Sequence, residues 1–228
     1  MRTPTDITEL TGLQRAVPLR VQAYQSLKRA IVTNRLSSNQ RYTEQQLSEL
    51  LGVSRTPVRE ALLQLHNEGW LEILPNRGAL IRPISERDIL EIFGLRRALE
   101  GWTIEDLGRR ISEESLRRLD QLLAEQREIV ARDDKNAWVS ANVQFHRYLV
   151  ETADNRRLQE IFDSVSDHVQ RIGLWLITQR NRMQEAHNEH HAIVQALRDP
   201  HRMNPRESLY QHLAKTEAQL LELYRARG

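Results

Sequence analysis

The sequence of 228 residues contains no cysteine, few aromatic residues and no long apolar run. Without cysteine the chain can form neither disulfides nor thiolate metal sites. No apolar run approaches the roughly 18 residues of a membrane span, and the N-terminus has no signal-peptide core. These absences predict a cytoplasmic protein with no membrane partner. The 39% of hydrophobic and 28% of charged residues are typical of globular proteins, and the length allows two domains.

Charge is distributed unevenly along the chain. Residues 1–84 carry 11 lysines and arginines against 7 acidic residues, whereas residues 85–228 carry 22 against 24. Because contacts with phosphates need local positive charge, the N-terminal part is the better candidate for binding nucleic acid. This asymmetry is mild and supports the assignment only together with a motif.

The segment 43–65 predicts a helix-turn-helix. Thr43 and Gln46 fit a capping box at the start of one helix, and Gly52 can supply the left-handed residue that ends it. Ser54 is expected to cap the second helix by accepting backbone N–H groups with its hydroxyl. Apolar residues at helical spacing follow in both helices, so each should pack one face against a core.

The exposed face of the second predicted helix carries Arg55, Thr56 and Arg59. Arginine can bond guanine bidentately in the major groove, and hydroxyls can hold phosphates. A solvated amphipathic helix would show the same pattern, so this face alone leaves both interpretations open. Two β-prone runs then flank the turn Pro75-Asn76-Arg77-Gly78 and predict a hairpin wing with Arg77 at its basic tip.

These segments resemble the GntR family of bacterial transcription factors. The resemblance covers residues 19–82 through the motifs LSELLGVSRTPVREAL and EGWLEILPNRGALI. It implies a double-stranded DNA operator as partner, contacted by Ser54, Arg55, Thr56, Arg59 and Gly78. A further arginine often found in that family is replaced by Gln45, which could still reach a base or phosphate.

The remainder of the chain predicts an all-α bundle. Helical patterns run at 86–109, 113–131, 135–152, 155–178, 181–198 and 206–226, the first of them capped by Ser85 with Asp88. An earlier helix is expected at 19–35. The predicted organisation is mainly α, with a flexible tail at 1–17, a winged helix-turn-helix at 18–83 and a helical bundle at 84–228.

Polar residues fall on faces of the bundle helices that should point inward. Arg96 and Glu100 lie within the apolar stripe of the first bundle helix, which fits a buried ion pair or a cation lining a cavity for an anion. His146, His190 and His212 lie on apolar faces of three other helices. They could be hydrogen-bonded core histidines or could converge on zinc, nickel or manganese.

The bundle resembles the FCD effector domain of FadR-type GntR regulators. The motifs are EIFGLRRALEG, NVQFHRYLVETADN, NEHHAIVQAL and ESLYQHLAKTE. The resemblance implies a divalent metal on His146, His190 and His212, with Asn142 where metal-binding members have an aspartate. It also implies that Arg96 faces the effector, commonly a small carboxylate.

The sequence therefore predicts a ligand-responsive transcriptional regulator and not an enzyme. We expect a repressor that acts as a homodimer on a pseudo-palindromic operator. One alternative is a helical-bundle metalloenzyme in which the three histidines activate water. Another is a DNA-binding dimer whose bundle takes no effector.

Overall fold

The computed structural model describes residues 17–75, 77–176, 179 and 181–226. Residues 1–16 of the predicted tail, and Asn76 of the predicted wing turn, lie outside this range. The described part of the chain forms nine helices and three short strands. It divides into two compact units, with residues 17–31 and 35–82 in the first and residues 32–34 and 83–226 in the second. None of the helices described is long and apolar enough to cross a membrane.

The first unit contains the predicted helix-turn-helix and a small sheet. Its elements are α1 (Leu19–Val32), β1 (Arg41–Tyr42), α2 (Glu44–Leu51), α3 (Arg55–Asn67), β2 (Leu71–Leu74) and β3 (Gly78–Ile81). The capping box of Thr43 and Gln46 forms as predicted, and Gly52 ends α2 with a φ of 66°. The apolar face of α3 is buried at Val58, Ala61, Leu62 and Leu65. In α2 Leu47 is buried, but Leu50 is 74% exposed, so the expected apolar face of this helix is only partly covered.

The predicted cap of α3 differs in one respect. Ser54 is the N-cap residue, but its side chain makes no capping hydrogen bond. The third helical position is Pro57, which has no N–H to donate, so one of the two usual partners of a capping hydroxyl is missing. The expectation that the Ser54 hydroxyl caps α3 is therefore wrong.

The sheet contains one strand that the sequence analysis missed. The strands lie in the order β1-β3-β2, all antiparallel. The predicted hairpin pairs Leu71 with Ile81, and the additional strand β1 pairs Arg41 with Leu80. With only two residues, β1 has no alternation that could have identified it.

The second unit is built from six helices around an apolar core. They are α4 (Glu86–Arg110), α5 (Glu113–Ala131), α6 (Lys135–Glu151), α7 (Arg156–Leu176), α8 (Arg182–Arg198) and α9 (Pro205–Arg225). These bounds agree with the predicted helices to within two residues, and Ser85 and Asp88 form the expected capping box. The last two residues predicted for the fourth bundle helix, 177 and 178, lie outside the described part.

Candidate functional sites

The N-terminal end of α3 presents polar side chains to solvent. Ser54, Arg55, Thr56 and Arg59 are all exposed, whereas the apolar positions of the same helix are buried. A helix N-terminus also carries partial positive charge, which favours phosphate. The structure thus brings four of the residues predicted to contact DNA onto one surface.

Both arginines of this surface bond to the start of α2. The Arg59 guanidinium donates to both carboxylate oxygens of Glu44, at 2.9 and 2.8 Å. Arg55 donates to the side-chain oxygen of Gln45 at 2.9 Å, and Gln45 in turn donates to Glu49. Gln45 therefore lies beside the N-terminal end of α3.

The wing residues have different surroundings. Arg77 is exposed at the turn before β3. Gly78 has a φ of 88°, and a Cβ at this position would collide with the backbone carbonyl of Tyr42 in β1. Glycine is thus required here by the close approach of β1, independently of any contact with phosphate.

The interior of the bundle contains a chain of hydrogen bonds from Arg96 to a histidine. Arg96 is 2% exposed, and its Nε donates to Glu100 at 2.6 Å. The other carboxylate oxygen of Glu100 accepts from Nδ1 of His146 at 2.6 Å. Burial would raise the pKa of Glu100, but Arg96 and His146 outweigh it and lower the pKa to about 2. Glu100 is therefore an ionised acceptor at neutral pH.

The other two histidines are held in the same way. Nδ1 of His212 lies 2.7 Å from the carboxylate of Glu189, which also accepts two hydrogen bonds from Arg182. Nδ1 of His190 lies 2.9 Å from the side-chain oxygen of Gln126. The amide nitrogen of Gln126 donates to a backbone carbonyl, which fixes its oxygen as the acceptor.

These partners determine the tautomer of each imidazole. All three Nδ1 atoms face acceptors, so each carries the proton of its neutral ring. Burial keeps the rings neutral, because it lowers the pKa of His146 and His190 and lowers that of His212 to about 4. Each of the three Nε2 atoms then carries a lone pair and no proton.

This arrangement fits a metal ion. The ligand atoms of the three histidines lie within 4.8 Å of one another, and Nε2 of His190 is buried without a hydrogen-bond partner. The Nε2 atoms of His146 and His212 are 3.2 Å apart. Zinc–nitrogen bonds of about 2.0–2.1 Å would separate tetrahedral ligands by roughly 3.3–3.4 Å. Acceptors on Nδ1 are the usual support of metal-binding histidines.

A cavity of about 40 Å³ adjoins the cluster. Its wall is largely apolar, with five polar residues: Arg96, Asn142, Arg182, His212 and Thr216. One terminal nitrogen of Arg96 is buried without a hydrogen-bond partner. Arg96 is therefore paired with Glu100 and also lines a cavity. Asn142 lies in the wall one turn before His146.

Sequence reasoning missed three residues that support this site. Gln126, Glu189 and Arg182 hold His190 and His212, either directly or through one another. Arg182 and Glu189 share a face with buried residues of α8 and could have been noticed by that spacing. Gln126 lies 64 residues from its histidine, and no local pattern indicates the pairing.

Comparison with known proteins covers both units. The gntR family of bacterial regulatory proteins matches residues 19–81, and the FCD domain matches residues 91–215. The HTH-type transcriptional regulator YdhC of Bacillus subtilis is 26% identical, over 88% of this chain and 90% of its own. The HTH-type transcriptional repressor RspR of Escherichia coli is 28% identical over 73% of each chain.

A solved structure supports the same architecture. The chain resembles Escherichia coli McbR/YncC with a TM-score of 0.77 and 23% identity, over 92% of this chain and 100% of that one. Identity at this level supports a common fold alone.

Proposed function

The chain belongs to the GntR family of bacterial regulatory proteins and carries an FCD domain, so it is a DNA-binding transcriptional regulator; from this premise we propose that it is a repressor released by a small carboxylate. The observation that supports an effector is the cavity whose wall contains both Arg96, with its unpaired terminal nitrogen, and His212 of the histidine cluster. A relative named as a repressor supports the direction of regulation.

We assign operator contacts to the exposed surface of the first unit. Arg55 and Arg59 would reach base edges in the major groove, with Gln45 and Thr56 beside them. Ser54 would hold a phosphate with the hydroxyl that α3 does not use. Arg77 and Gly78 place a basic turn and an exposed backbone at the wing.

We assign the effector site to the cavity of the bundle. His146, His190 and His212 would hold a divalent ion, with Asn142 at most a weak ligand through its carbonyl oxygen. The ion would supply a Lewis-acidic position for a carboxylate oxygen, and Arg96 would donate to the same carboxylate. The cavity volume of about 40 Å³ limits the remainder of the effector to a small body.

The metalloenzyme alternative has less support. Water activation by a metal still needs a group that accepts a proton. Among the described residues, the carboxylates bonded to the cluster are Glu100 and Glu189, and each already accepts from an imidazole and an arginine.

The proposal can be tested with an operator selected from random DNA by the purified protein. Zinc and a panel of two- to six-carbon mono- and dicarboxylates would be added, and operator affinity measured at one salt concentration. We expect at least one carboxylate to weaken operator binding by about tenfold or more, within the usual range of coupling between sites. Unchanged affinity with every member of the panel, with and without zinc, would contradict the effector proposal.

We further propose that the homodimer forms through α4. This helix exposes an apolar strip in which Leu95 is 48% and Trp102 is 52% exposed, with Leu90 and Ala98 alongside. Between them Gly94 has open space where a side chain would be. Two antiparallel copies of α4 would place Trp102 of each chain over Gly94 of the other, which gives a self-complementary interface.

The dimer surface can be tested by sedimentation at micromolar concentration. Trp102→Glu should convert the dimer to a monomer, because a buried charge would have no partner. Ile161→Glu on α7 is the matched control, since Ile161 is a similarly exposed apolar residue away from this strip. A native monomer, or a Trp102→Glu dimer, would refute this interface.

A further inference from the structure

The cavity beside the histidines has no anionic group of its own. None of its wall residues in the described part of the chain is acidic, and two of them are arginines. Asn142, which lies in the wall on the same helix as His146, contributes an amide that cannot carry negative charge.

The two carboxylates that support the histidines do not supply the missing charge. Glu100 is paired with Arg96 at 2.6 Å, and Glu189 is paired with Arg182 at 3.0 Å, so each arginine–glutamate pair is neutral as a unit. Lys215 also contacts Glu189, at 2.9 Å. Neutral imidazoles add no charge either, so a divalent ion held there would keep its full positive charge.

An uncompensated charge in a buried site is unfavourable, and the imbalance would be relieved by an anion in the adjoining cavity. The same anion would accept the hydrogen bond that the buried terminal nitrogen of Arg96 does not make. A carboxylate would therefore compensate the charge of the divalent ion and also give Arg96 its missing acceptor.

We propose that the metal ion and the carboxylate bind this chain cooperatively, because the effector supplies the negative charge that Asn142 does not. The inference rests on the proposed function and specifies how the site is regulated. Linkage requires the effect to be reciprocal: the carboxylate raises metal affinity by the same factor as the metal raises carboxylate affinity. The apo protein should then respond weakly to either one alone.

The experiment is a zinc titration of the full-length apo protein against a chromophoric chelator at constant ionic strength. It is repeated with 50 mM acetate and with 50 mM acetamide, a neutral molecule of the same shape, after correction for zinc binding by acetate itself. We expect acetate to raise zinc affinity by about tenfold, a typical coupling between two sites, and acetamide to leave it unchanged.

Asn142→Asp tests the assigned cause. With a carboxylate in the wall, zinc affinity without acetate should rise by about tenfold and the enhancement by acetate should fall below about twofold. Asn136→Asp makes the same chemical change at an exposed position of the same helix and should behave like the native protein.

The outcomes separate the inference from the proposed function. Equal zinc affinity with acetate and with acetamide would overturn the inference while leaving a metal-dependent effector site in place. An acetate effect as large in Asn142→Asp as in the native chain would overturn the role of Asn142. If native protein and Asn142→Asp both fail to bind zinc at micromolar concentrations, the metal-dependent site and the inference are both wrong.

Discussion

The two units contain arginine–glutamate pairs of similar geometry in opposite environments. Arg59 and Glu44 pair at 2.8 Å on the surface of the first unit, where the arginine side chain is 65% exposed. Arg96 and Glu100 pair at 2.6 Å inside the second, where the arginine side chain is 2% exposed. Solvent screens the first pair and not the second, so pairs at similar distances differ in interaction energy.

This difference matches the role proposed for each pair. An exposed arginine can exchange its glutamate for a base or phosphate at little cost, since water compensates either state. The buried arginine cannot exchange its glutamate in this way, because separating the pair would leave an unpaired charge in the core. Arg59 is thus suited to exchanging Glu44 for another partner. Arg96 is suited to holding Glu100, and through it His146, in one geometry.

The largest expected effect comes from breaking the buried pair. Arg96→Ala should lower the free energy of unfolding of the bundle by about 3–5 kcal/mol, because Glu100 would remain buried without its cation. Arg59→Ala is the matched change at the surface and should leave the free energy of unfolding nearly unchanged. Urea denaturation of both variants checks this, and equal stability of the two would refute the comparison.

Lowering the pH should destabilise the same buried region. The pKa of His212 is lowered to about 4 by burial, against 6.5 when exposed, so between these values the unfolded chain binds a proton that the folded chain does not. The contribution of His212 to the free energy of unfolding is therefore fully present above pH 6.5 and is lost as the pH falls toward 4. The loss is about 2 kcal/mol at pH 5. Glu189 and Glu100, both with pKa values of about 2, extend the loss below pH 4.5.

This pH dependence can be measured by urea denaturation of the apo protein at pH 7, 6 and 5. His212→Gln should reduce the slope, with the remainder due to His146 and His190, whereas His201→Gln, at an exposed turn, should retain it in full. A native bundle whose stability is constant from pH 7 to pH 5 would show that the folded and unfolded chains bind protons alike.

Local features account for what the sequence predicted. Caps at Thr43 and Ser85 involve residues three positions apart, and the inward stripe of α4 that contains Arg96 is visible from helical spacing alone. Convergence of the three histidines is not local, since it depends on how α6, α8 and α9 pack. The sequence could place each histidine on an inner face, but only the fold brings their ligand atoms within 4.8 Å.

The features that the sequence analysis missed also depend on tertiary contacts and not on local sequence. Strand β1 exists only because β3 offers it an edge, and its two residues carry no pattern of their own. Gly78 was predicted from the sequence as a DNA contact. The structure shows that a side chain here would collide with the backbone of Tyr42, a constraint that depends on the tertiary structure. The assignment of individual residues to operator, metal and effector stays a prediction.

A smaller effect is expected from the exposed arginines, and on operator binding instead of stability. Arg55→Ala and Arg59→Ala should each weaken operator affinity by roughly tenfold, the loss of one base or phosphate contact. Arg87→Ala is the control, because Arg87 is also an exposed arginine and is paired with Glu91 on α4. Operator titrations at one salt concentration would refute the assignment if both α3 variants bound like the native protein.

The smallest effect distinguishes two hydroxyls of the first unit. The Thr43 hydroxyl accepts from the backbone N–H of Gln46 at 3.2 Å, whereas the Ser54 hydroxyl makes no capping hydrogen bond. Thr43→Ala should therefore lower stability by about 1 kcal/mol, the usual contribution of an N-cap, and Ser54→Ala by less than about 0.5 kcal/mol. If Ser54 holds a phosphate, Ser54→Ala should instead weaken binding to all DNA sequences alike, since a phosphate contact carries no sequence information. Equal losses of stability in the two variants would show that Ser54 caps α3 after all.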